Sequence, residues 1–119
     1  MPRILITGKD WTSRVLLRAQ LIGEGADVEA YDNVGDAVQR LWGSADMPSL
    51  LIADLFESDH AVEDIATLSH WAKLLPIWIL AAHATAEVGT LESQDFERVF
   101  FRPLDVGKLV QEIRERLAR

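Results

Sequence analysis

The sequence predicts an α/β fold, a flavodoxin-like (βα)5 arrangement on a parallel sheet. Three observations lead there. Short runs that are apolar at every residue alternate along the chain with amphipathic helical stretches. Runs without in–out alternation belong to strands buried on both faces, and such strands separated by helices form a parallel sheet covered on both sides. The chain has 119 residues, room for five such units in one domain spanning 1–119. Right-handed crossovers leave few topologies, and at this length the expected one is a three-layer sandwich with strand order 2-1-3-4-5.

Ile4-Leu5-Ile6, closed by Thr7-Gly8, is the first strand. Trp11 to Glu24 follows as a helix, with Val15, Ala19 and Ile22 on one stripe, Leu17 and Leu21 beside it, and Gly23 and Gly25 as stop signals. Val28 to Tyr31 is a weaker, half-polar strand. Asn33 caps a second helix carrying Val34, Ala37, Val38 and Leu41 and ended by Gly43. Pro48 precedes the third strand, Leu50 to Ala53, which ends in Asp54. The third helix runs from about Asp59 to Leu75, with Val62, Ile65, Ala66 and Ala72 inward, and Pro76 stops it. Ile77 to Ala81 is the fourth strand. His83 to Asp95 holds only Val88 and Leu91 as anchors for a fourth helix. Val99-Phe100-Phe101 is the fifth strand, and Asp105 caps a last helix with Val106, Leu109, Val110, Ile113 and Leu117 on one face.

Composition narrows the function. Hydrophobic residues make up 49% and charged residues 26%, an ordinary globular balance. Twelve Lys and Arg against nineteen Asp and Glu leave a net charge of −7, which argues against a nucleic acid or an anionic membrane as partner. The absence of cysteine excludes disulfide scaffolds, thiolate metal sites and cysteine nucleophiles. The longest apolar run, Leu74 to Ala82, contains Pro76 and is far short of a membrane span. The N-terminus lacks the pattern of a signal peptide, so a cytoplasmic protein is expected.

In an open parallel sheet, ligands bind at the carboxyl ends of the strands, where the winding direction reverses. Here that point lies between the first and third strands. Thr7, Gly8, Lys9 and Asp10 follow strand one, Asp54 follows strand three, Ala81, Ala82 and His83 end strand four, and Arg102-Pro103 follow strand five. Asp54, emerging from four apolar residues, is the candidate reactive group. Capping of the following turn is the competing role for it.

Four blocks together carry a resemblance: Ile4-Leu5-Ile6; Leu50-Leu51-Ile52-Ala53-Asp54; Leu75-Pro76-Ile77-Trp78-Ile79-Leu80-Ala81-Ala82; and Phe101-Arg102-Pro103-Leu104. In this order and spacing the chain resembles, over essentially its whole length, the receiver domain of two-component response regulators. The resemblance implies phosphorelay signalling, with Asp54 at the phospho-acceptor position, attacking a phosphohistidine of a kinase. Two acids after strand one would hold Mg²⁺. A hydroxyl after strand four would bond the phosphate, and a Lys before a cis-Pro after strand five would pair with it.

The helpers depart from that pattern. The acid pair falls on Gly8 and Lys9, with Asp10 displaced by one position, so residual Mg²⁺ binding would rest on Asp10 and Asp54. The hydroxyl position is Ala81, the Lys is Arg102, and the switch aromatic is Val99. Lys9, near the place of the metal, is expected to neutralise Asp54. The chain thus resembles an atypical, degenerate receiver that is not an enzyme, needs no cofactor and works by recognising a protein: a histidine kinase, an output domain or a second copy. The resemblance places dimerisation and output docking on the fourth helix, fifth strand and fifth helix.

The alternative is a small flavodoxin-like protein binding phosphate or flavin in the Thr7–Ser13 loop, with Trp11 stacking on the ring. His60, His70 and His83 are too scattered for a metal motif. Of the four tryptophans, Trp78 is expected in the core, and Trp42 and Trp71 partly exposed. Arg98, Arg102, Lys108, Arg114, Arg116 and Arg119 give the C-terminal part a basic bias.

Overall fold

Burying five apolar strands from water on both faces requires two layers of helices, and a computed structural model of the chain has this form. It describes residues 2–43, 46–82 and 95–118. The strands are β1 (Arg3–Gly8), β2 (Asp27–Tyr31), β3 (Leu50–Asp54), β4 (Ile77–Ala81) and β5 (Arg98–Phe101). The helices are α1 (Trp11–Gly23), α2 (Val34–Gly43), α3 (Ala61–Trp71) and a C-terminal helix (Val106–Leu117). The sheet order is β2-β1-β3-β4-β5 and every neighbouring pair is parallel. The fold is the flavodoxin-like one expected. The helical stretch expected around Val88 and Leu91, together with His83, lies outside the described residues.

The alternation of side chains along each strand divides the core in two. Leu5, Leu51, Ala53, Ile77 and Ile79 pack toward α2 and α3, against Leu41, Ile65, Leu68 and Trp71. Ile4, Ile6, Leu50, Ile52, Trp78 and Leu80 pack toward α1 and the C-terminal helix, against Leu17, Leu21, Leu109 and Ile113. Caps begin two of the helices as expected: Asn33 Oδ1 accepts from the Asp36 N–H at 2.8 Å, and Asp105 Oδ1 from the Lys108 N–H at 3.0 Å. Among the described residues, no helix is long and apolar enough to cross a membrane.

Two helices turn differently from the sequence reading. In α1 the buried side chains are Leu17 and Leu21, while Val15, Ala19 and Ile22 face outward. The helix carries two apolar stripes, and the sheet takes the one that also carries Arg14. That guanidinium donates to the Gly8 carbonyl and pairs with Asp32 at 2.9 Å. In α3 the buried residues are Ile65, Leu68 and Trp71, and Val62 and Ala66 point away from the core. Successive steps of three from Ile65 select Leu68 and then the large Trp71, which removes more apolar area from water than an alanine can. Trp71 is consequently buried, and Trp42, exposed, sets its ring edge-on to it at 5.1 Å.

The polar edge of β2 is tied to α2 by charge. Arg40 donates to both oxygens of Glu29, at 3.0 and 3.1 Å. This bond holds the Glu29 carboxyl below its usual 4.5 against the opposing effect of burial. A carboxyl depressed in the folded state adds stability above its unfolded pKa, and that stability is lost as pH falls through the folded value. Glu29→Gln should therefore destabilise at neutral pH, with the difference from the native chain shrinking as pH falls below 4.5 through the folded value; urea melts at several pH values measure it. Core and surface should separate as cleanly. Leu68→Ala should cost about 2–5 kcal/mol, and Val62→Ala less than about 0.5 kcal/mol, in the same melts.

Candidate functional site

The register sets the site. Gly8 lies beside Asp54 across β1 and β3, Asp54 beside Leu80 across β3 and β4, and Ala81 beside Phe101 across β4 and β5. The carboxyl ends of four strands therefore converge on one spot. Glycine at position 8 suits this closeness: a Cβ there would lie 3.2 Å from Cβ of Asp54, a tight contact that the neighbour would have to relieve.

Asp54 is nearly buried and both of its oxygens are taken. Arg102 reaches it from the end of β5 and binds it two-pronged, Nη1 to Oδ1 at 2.8 Å and Nη2 to Oδ2 at 2.7 Å. The Phe56 N–H donates a third bond to Oδ1 at 3.0 Å. The side chains are 8% and 19% exposed, so the pair is shielded from solvent screening. Hydrogen bonding to Asp54 holds the Arg102 guanidinium above its ordinary pKa, and the nearby charges of Asp10 and Glu57 add to this. The ring of Phe56 lies 4.4 Å from the guanidinium carbon. Arg102 is thus clamped between a carboxylate and an aromatic face. The small side chains of Ala81 and Ala82 at the end of β4 leave the path across that strand clear. The Arg102–Pro103 peptide is cis.

Lys9 does not neutralise Asp54, contrary to the sequence expectation. Its ammonium binds Asp59 at 2.7 Å, across a cleft of about 580 Å³ whose walls also hold Asp32, Glu63 and Asp64. The reason is register. Gly8 occupies the position beside Asp54, and Lys9 stands one residue past the strand, where its flexible stem follows an exposed acid. The bond to Asp59 raises the Lys9 pKa and lowers that of Asp59. Asp10 precedes α1 without capping it and accepts from Ser13 Oγ at 2.6 Å.

Two participants escaped the sequence reading. Phe56 sits in the turn after Asp54, and its signal was a large aromatic where a turn residue is usual. Arg14 is 11% exposed and bridges the ends of β1 and β2. Its signal was its place in line with Leu17 and Leu21. In that turn Glu57 takes a left-handed conformation, φ 63°, beside the Ser58 N–H bond to the Leu55 carbonyl at 3.1 Å. The basic bias of the C-terminal part is internally balanced. Arg98 pairs with Glu112, Arg114 with Glu24 and Arg116 with Glu97. Arg119 lies outside the described residues.

The donors do not fit Mg²⁺. The ion requires several free oxygen ligands in octahedral geometry. Of the two carboxylates the sequence offered, Asp54 is filled by Arg102 and Asp10 holds Ser13. No group of three or more acid or histidine side chains arranged to hold a metal occurs among the described residues.

No family model and no curated protein matches the chain. Solved structures do match it. A CheY-like response regulator receiver domain protein from Methanospirillum hungatei superposes with a TM-score of 0.82 at 18% identity, over 99% of this chain and 94% of the other. A response regulator receiver protein from Burkholderia phymatum gives 0.81 at 15% identity, over 99% and 96%. The non-phosphorylated HemR receiver domain from Leptospira biflexa gives 0.80 at 19% identity, over 100% and 96%. The chain therefore has the fold of response regulator receiver domains.

Removing one partner of a shielded ion pair strands the other charge. Arg102→Ala should cost about 3–5 kcal/mol. The double variant Asp54→Ala, Arg102→Ala should cost less than the sum of the two single changes, by about 1–3 kcal/mol in a double-mutant cycle from urea melts.

Proposed function

We propose that this chain is an atypical receiver domain of phosphorelay signalling, acting through protein–protein recognition rather than as a working phospho-acceptor. The observation that carries the reading is the two-pronged bond of Arg102 to Asp54. Acyl-phosphate formation needs a carboxylate oxygen free to attack and a cation to neutralise the incoming phosphoryl group. Here both oxygens are held by hydrogen bonds, and the metal position carries glycine and lysine. Ala81 offers no hydroxyl to a phosphate. Arg102 thereby supplies, permanently and from within the chain, the neutralisation that Mg²⁺ and phosphate chemistry would supply in turn.

The domain so described is not an enzyme and needs no cofactor. Its partner is a protein such as a histidine kinase or an output domain, met in the cytoplasm. The face of β5 and the C-terminal helix is one surface available for docking. Arg98, Arg114 and Arg116 of this part are already paired with acids of the same chain, which favours contact by shape and apolar area over attraction of an acidic partner. The reading of a flavin or phosphate site in the Thr7–Ser13 loop is disfavoured. The Asp10 carboxylate stands at the N-terminus of α1 where a phosphate would need positive potential.

Incubation with a small acyl-phosphate donor and Mg²⁺ tests the proposal. The intact mass should stay unchanged over hours, and millimolar Mg²⁺ should leave the tryptophan fluorescence unchanged. A gain of one phosphoryl group that Asp54→Asn abolishes would overturn the claim that Arg102 has retired the acceptor.

A further inference from the structure

We propose that the chain pairs with a second copy of itself through the outward face of α1, the two helices lying antiparallel about a two-fold axis. Trp11, Val15, Ala19 and Ile22 recur on one side of that helix, and Leu16 widens the stripe. Trp11 is 65% exposed, Leu16 48%, Ile22 44% and Val15 43%. Half of the large exposed apolar side chains of the described residues thus belong to one helix face. The opposite face, with Leu17 and Leu21, is already spent on the core. Leaving such a stripe in water gains nothing for folding, and a continuous stripe of this kind marks a contact surface.

The pattern is self-complementary. Large side chains stand at the two ends, Trp11 and Ile22, and small ones, Val15 and Ala19, in the middle. An antiparallel two-fold arrangement sets Trp11 against Ile22 of the partner subunit and lets the helices approach closely where Val15 and Ala19 cross. Such an isologous contact closes on itself as a dimer instead of propagating. The four large side chains expose on the order of 400 Å² per copy, about half of what a standard interface takes from each partner. With the flanking Thr12 and Arg18 the total reaches only the lower end of specific interfaces. The pairing is therefore reversible and concentration-dependent. Charge sets its salt response. Each copy carries −7, while Arg18 is the only charged residue of α1 beside the stripe. Repulsion between whole molecules opposes association, and no ion pair across the contact is needed. Added salt screens the repulsion and should tighten the dimer. A dimer held by ion pairs would loosen instead.

Sedimentation equilibrium of the full chain, from about 1 µM to about 1 mM, reads the outcome. The mass should rise from one copy toward two, more completely at higher salt. Val15→Glu and, separately, Ile22→Glu should weaken the association at least tenfold with unchanged far-ultraviolet circular dichroism. Val62→Glu, at a still more exposed apolar position on α3, should leave it intact. A chain that stays monomeric throughout overturns the proposal and assigns the stripe to a different protein. A dimer that ignores both α1 variants, or that salt dissociates, also overturns it.

Discussion

A carboxylate at the end of a buried parallel strand has few ways to remain charged. Its own strand and its two neighbours present mostly apolar side chains, and only 8% of its side chain is exposed. Asp54 meets this constraint with a guanidinium that crosses β4 to reach it, and the surrounding structure follows from that bond. Glycine stands at position 8 because β1 passes close to Asp54. Alanine at 81 and 82 leaves room for the crossing, and Phe56 covers the far side of Arg102. The bond also joins β3 to the segment after β5, elements that are not neighbours in the sheet.

This geometry separates two properties that a receiver fold normally combines. The fold supplies a scaffold with surfaces for other proteins. The acceptor site supplies a switch, which depends on a carboxylate that alternates between free and modified. Here a two-pronged bond and a third hydrogen bond from Phe56 hold both oxygens of that carboxylate. On the function proposed above, surface recognition takes the place of that switch, and the face of α1 carries half of the large exposed apolar side chains of the described residues. The acidic walls of the cleft around Lys9 add to this picture. The Lys9–Asp59 ion pair spans that cleft, whose lining also includes Asp54.

Much of this was legible in the residues. Four of the strands and the position of Asp54 followed from continuous apolar runs, as burial on both faces of a parallel sheet requires, while the half-polar β2 was placed by the alternation around it and the order by the handedness of crossovers. The caps at Asn33 and Asp105 were legible because a helix N-terminus needs a short polar acceptor at that place. The departures at Gly8, Lys9, Ala81 and Arg102 were visible as residue types. What they do together was not. Lys9 was expected to neutralise Asp54, and Arg102 was read only as standing at the phosphate-contact position. Register reversed that, by placing Gly8 beside the acid and sending Lys9 past the strand end. In α3 Ile65 and Ala72 face the core as expected while Val62 and Ala66 do not, and in α1 the sheet takes the stripe of Leu17 and Leu21, because each helix carries more apolar positions than one stripe can hold.

The sequence by itself determined the class of fold, the strand order and the identity of the residues gathered at the carboxyl ends of the strands. These depend on local hydrophobic pattern and on the handedness of crossovers, both of which act on every chain alike. Only the tertiary structure decided which cation binds Asp54, which stripe of α1 the sheet accepts, and that Phe56 and Arg14 take part. Those outcomes depend on distances between segments far apart in the chain. Arg102 is forty-eight residues from Asp54 and Lys9 fifty from Asp59. Two long cations of the same sign compete for several acids, and the pairing is settled by where the strand ends stand in space.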